Sequence, residues 1–116
     1  MIETDARSIL GCNTPRDSRW SESSFIARLH EDAVFDEKRF AELIAALNAL
    51  DRDCRTTLDT VLVYRIFRYT MLLFCCHFDA RDAFAFDRMS TDQIWDCRDR
   101  FVDAFDRWFD ACQAGG

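Results

Sequence analysis

Residues 58–78 hold 15 apolar or aromatic side chains out of 21, and this run narrows the possible folds more than any other feature of the chain. Val61 to Tyr64 alone would suit a strand, but the length of the apolar run favours a helix. A membrane span is disfavoured, because Asp59, Arg65, Arg68 and His77 interrupt the run. One charged residue near the bilayer centre costs about 2.5–3.5 kcal/mol on insertion scales. A helix apolar on nearly every side, here expected over about residues 55–77, belongs at the centre of a bundle. Arg65 and Arg68 would then need carboxylate or carbonyl partners, since an unpaired buried charge is expensive.

The rest of the composition agrees with a helical domain. At 116 residues the prior is one domain, able to bury a core without staples. Hydrophobic residues make up 49% of the chain and aromatics 14%, which excludes a disordered segment. Three Gly and one Pro leave little turn material for an all-β fold. The expected architecture is all-α, four to five helices packed as a compact bundle around a central apolar helix. Residues 1–19, polar with Ile9 and Leu10 as their apolar anchor, read as an N-terminal arm or tail, and 20–113 as a single helical domain.

Three helix starts share one device, an oxygen-bearing cap between two apolar residues. Ser21 caps between Trp20 and Phe25, Asp36 between Phe35 and Phe40, and Ser90 between Met89 and Ile94, with Gln93 completing a capping box. The helices they open are expected over about 21–31, 37–51 and 91–112. Residues 79–86 are open between a turn and a short extra helix.

The last helix has the clearest pattern. Ile94, Cys97, Phe101, Ala104, Phe105, Trp108 and Cys112 fall on one side at helical spacing. Asp92, Asp96, Asp99, Asp103, Asp106 and Asp110 fall on the other, spaced 4-3-4-3-4, within an arc of roughly 80°. Like charges three or four apart repel, so the ladder does not serve the helix itself. Pairs Asp96–Arg100 and Asp103–Arg107 relieve part of the repulsion. The ladder reads either as a solvated face in an Asp-biased chain, with 16 Asp to 5 Glu, or as an acidic docking surface for a basic partner. Trp95, between the acidic and apolar faces, is a candidate interface anchor beside it.

Other chemistries find little support. A net charge of −6 argues against a phosphate-binding basic face and direct nucleic-acid binding. The ladder lacks the alternating oxygen ligands and turn glycine of a calcium loop, so no metal is expected. Cysteines 12, 54, 75, 76, 97 and 112 show no CxxC spacing and, without a signal peptide, read as reduced thiols in a cytoplasmic protein. His30 and His77 stand near helix ends, where they would satisfy terminal carbonyls. Nucleophile elbows, phosphate loops and dinucleotide fingerprints are absent, so neither a catalytic residue nor a cofactor is expected.

In size, helicity, acidity and unpaired cysteines, residues 20–113 resemble the small acidic immunity proteins of bacterial toxin systems, those of colicins and of contact-dependent growth inhibition. The excess of Arg over Lys, 14 to 1, fits a GC-rich bacterial genome. The likeness is one of class, so no family residues are carried over. It implies a non-enzymatic antitoxin that binds a cognate toxin domain, such as a nuclease with a basic surface, as a monomer or homodimer. The alternative is a small helical adaptor, chaperone or regulatory protein acting by protein–protein contact.

Overall fold

The helices begin, with one exception, where a side-chain oxygen accepts the N–H groups that a first turn leaves without helical partners. The computed structural model describes residues 1–50, 53–78, 86 and 88–113. They form α1 (Glu3–Cys12), α2 (Phe25–Glu31), α3 (Glu37–Ala49), α4 (Thr57–Phe78) and α5 (Thr91–Gln113), with no strand among the described residues. The radius of gyration is 14.2 Å. That is close to the ~13 Å expected of a compact domain of this length.

Two of the three expected caps are in place. Asp36 accepts from Arg39 N at 3.1 Å, and the flanking Phe35 and Phe40 rings meet at 5.0 Å. At α5, Ser90 Oγ accepts from Gln93 N while Gln93 Oε1 accepts from Ser90 N, a reciprocal capping box. The third lies elsewhere. Ser24, not Ser21, caps α2 and accepts from Ala27 N, while Ser21 closes a preceding turn through Ser23 N. The shift has a tertiary cause: Asn13 Oδ1, from the end of α1, accepts from Ile26 N at 3.0 Å and fixes where α2 starts. A fourth device is a capping box in Thr56-Thr57-Leu58-Asp59. Thr56 Oγ1 accepts from Asp59 N, and Asp59 Oδ2 accepts from Thr56 N.

Residues 3–12, expected to belong to an arm or tail, form α1 instead, which packs on α3 and α4. The helix is mostly polar because only a narrow stripe is covered: Ala6, Leu10 and Gly11 are buried. Polar contacts supply the rest of its attachment. Asn13 and Thr14, both buried, donate back to Ile9 O and Leu10 O. Arg19 lies across Gly11, where any Cβ would collide with its guanidinium, and donates to Arg7 O and Asp17.

The core is aromatic. Phe25 touches Phe35 and Phe40, and Phe101 packs on Phe105 at 4.4 Å and on Phe67 at 6.0 Å. Such pairs add about 0.5–1.5 kcal/mol each beyond the area they bury. Arg55 ties the end of α3 to α5: it donates to Leu50 O and Trp108 O, and its guanidinium lies 3.8 Å from the Trp108 ring centre.

α4 departs from the expected all-round burial. It packs on α1, α2 and α5 with Leu62, Val63, Ile66, Thr70, Leu73 and Phe74 buried. Its opposite face is open, with Leu58 60% exposed, Tyr64 52% and Leu72 57%. Arg65 and Arg68 lie on that face in solvent, so the buried partners expected for them are not required. Of residues 79–86, the segment open between a turn and a helix, all but Phe86 lie outside the described residues. No helix among those described is long and apolar enough to cross a membrane.

Candidate functional site

The aspartate ladder is fixed from beneath by the apolar side of α5. Ile94, Cys97, Phe101, Ala104, Phe105 and Trp108 are buried as the spacing requires, while the side chain of Cys112 lies outside the described set. Rotation about the helix axis therefore has no freedom. Asp92, Asp96, Asp99, Asp103, Asp106 and Asp110 are all exposed, in one row along five turns.

The arginines beside the row divide between it and other partners. Arg100 keeps the expected Asp96 only as a loose ion pair at 3.9 Å. It makes a bidentate bond to Glu37 of α3 at 2.8 and 2.9 Å. That bond holds the Glu37 carboxyl below its usual range, against an opposing push from burial. Arg107 does not reach the Asp103 carboxylate; its Nε points to Asp103 O at 3.4 Å. Arg98 lies 3.5 Å from Asp99 and 4.9 Å from the Trp95 ring centre, a cation–π contact. Trp95 is 44% exposed at the margin of the row.

At the N-terminal end the row runs into a groove of about 480 Å³ bordered by Phe35, Glu37, Arg88, Met89, Asp92, Gln93, Asp96 and Cys97. Three of those residues are acidic and one, Arg88, is basic, with Phe35 and Met89 forming the apolar part of the wall. The ladder was legible from spacing, and Arg98 on Trp95 is an i,i+3 relation open to the same reading. Glu37 was not, because its partner Arg100 is 63 residues away.

The histidine contacts seen among the described residues are other than the expected ones to terminal carbonyls. His30 is exposed, with Nδ1 3.3 Å from Glu31 and its ring edge-on to Tyr69. His77 Nδ1 accepts from Phe86 N at 3.0 Å, and the two rings stack. Among the described residues no group of His, Cys, Asp and Glu is arranged to hold a metal ion. Cys97, beneath the ladder, has its thiol pushed up to about 11 by burial and the nearby Glu37 carboxylate, which leaves it protonated and unreactive.

No protein-family model matches the chain, and no curated protein or solved structure matches it either.

Proposed function

We propose that the chain works by stoichiometric contact with a basic protein, docked along the α5 ladder, as an immunity protein neutralises a toxin domain. One observation carries this reading. Six carboxylates stand outward in a row at spacings where like charges repel, and the row ends in a groove lined by three acids and one arginine. Complementary charge of that kind speeds association and selects partners. A toxin domain that grips nucleic-acid phosphates would meet in the ladder a row of anions at similar intervals, with Trp95 as an apolar anchor beside it.

The test is co-expression with the C-terminal domain of an exported protein encoded beside this chain, followed by binding kinetics. Cells survive that domain only when this chain is present, and the on-rate falls as salt rises. The D99K/D103K variant associates more slowly while keeping its fold. Unchanged association in that variant would remove the ladder from the site. The adaptor reading draws on a different surface, the open face of α4.

A further inference from the structure

The open face of α4 has an order of its own. Leu58, Val61, Arg65, Arg68, Leu72 and Cys75 are all exposed and follow one another at 3-4-3-4-3 spacing. That is the heptad seam of a helix that pairs with another helix, with knobs entering holes at a shallow crossing angle. The seam is apolar at both ends and carries two guanidiniums in the middle. Beside it runs a groove of about 650 Å³, whose walls include Tyr64 and Tyr69 of α4 and Pro15 and Arg16 of the α1–α2 connection. Arg16 adds a third cation to the centre. Its backbone is left-handed, φ 70°, a conformation that costs a non-glycine residue energy. Three arginines gathered on one groove are conspicuous in a chain of net charge −6.

We infer that this seam receives an amphipathic partner helix with aliphatic residues at both ends of its contact stripe and two carboxylates at the centre. Charge decides the occupant. A second copy's α4 is unsuited, since antiparallel pairing sets Arg65 of one copy against Arg68 of the other and parallel pairing aligns like with like. A second copy's α5 is unsuited too, because its unbroken aspartate row would press carboxylates on Leu58, Val61 and Leu72 and strip them of water. A helix with the stated pattern meets aliphatic with aliphatic and acid with arginine along the whole length. This inference is independent of the function proposed for the α5 ladder.

The experiment uses the full chain and two synthetic 21-residue helices, identical except for Glu or Lys at the two central seam positions, with Leu and Ile at the outer ones. Fluorescence anisotropy is expected to show the Glu helix binding at least about ten-fold more tightly than the Lys helix. The R65E/R68E variant, altered at two exposed positions and checked for an unchanged melting temperature, is expected to reverse that order. D99K/D103K, altered only on α5, is expected to bind the Glu helix as the wild type does, which separates this test from the previous one. Equal affinities, no binding of either helix, or indifference to R65E/R68E would overturn the inference. So would sedimentation showing that the wild-type chain dimerises through α4, or retention of inorganic phosphate by the groove with neither helix bound.

Discussion

The guanidinium of Arg7, on α1, holds the carboxylate of Asp59, in the first turn of α4, through contacts of 3.0–3.2 Å, and its other terminal bonds go to Cys54 O and to the Glu3 carboxylate. Asp59 is 1% exposed and also closes the capping box with Thr56. One carboxylate thus starts a helix and fastens a second helix to it. Replacing it with Asn removes the charge-assisted bonds and leaves the Arg7 guanidinium only the half-exposed Glu3 carboxylate as counter-charge. We expect D59N to cost about 2 kcal/mol, read from urea unfolding at neutral pH. Burial pushes the Asp59 carboxyl up, but the Arg7 and Thr56 bonds outweigh it and hold it below the ordinary value. A depressed folded pKa stabilises above the ordinary carboxylate range and loses its effect as pH falls toward the folded value. The wild type should therefore lose stability more steeply below pH ~4 than D59N does.

Neutralising the middle of the ladder should strengthen the fold. Asp99 stands three residues after Asp96 and four before Asp103, which in turn precedes Asp106 by three. Each such like-charge pair costs about 0.2–0.5 kcal/mol. D99N/D103N is expected to raise stability by about 1 kcal/mol at low ionic strength, a few degrees in melting temperature. The gain should shrink as salt is added. A lower melting temperature would mean that these carboxylates serve the fold after all.

Thr70 is buried in the middle of α4 with its hydroxyl lacking a hydrogen-bond partner among the described residues. Valine has nearly the same shape and no polar atom to desolvate. T70V is expected to gain about 1 kcal/mol in thermal unfolding, and a loss of that size would point to a partner for the hydroxyl.

The cysteines should separate by reactivity. Cys75 is exposed, whereas Cys97 is buried with its thiol pushed up to about 11. Alkylation with iodoacetamide at pH 8, followed by peptide mapping, is expected to modify Cys75 within the first minutes and Cys97 only after denaturant is added. Rapid labelling of Cys97 in the native protein would show that α5 lifts from the core.

Wherever the chain's own periodicity carried the signal, the sequence was enough. α5, its buried stripe, its aspartate row and the caps at Asp36 and Ser90 all depend on neighbours within four residues, and local geometry places them regardless of the rest of the molecule. The apolar richness of α4 likewise marked it as a helix. Composition could not say which of its sides would be covered, because that depends on how many helices reach it. α1, α2 and α5 cover one face, and Leu58, Tyr64 and Leu72 stay outside. The polar start of the chain became α1 for a reason equally remote in sequence: Arg7 finds Asp59 52 residues later, and Asn13 finds Ile26 N across a turn. The bidentate bond of Arg100 to Glu37, with the expected Asp96 left as the looser partner at 3.9 Å, is of the same kind. A charged side chain pairs with whatever the fold brings within about 3 Å, and sequence order does not encode that distance.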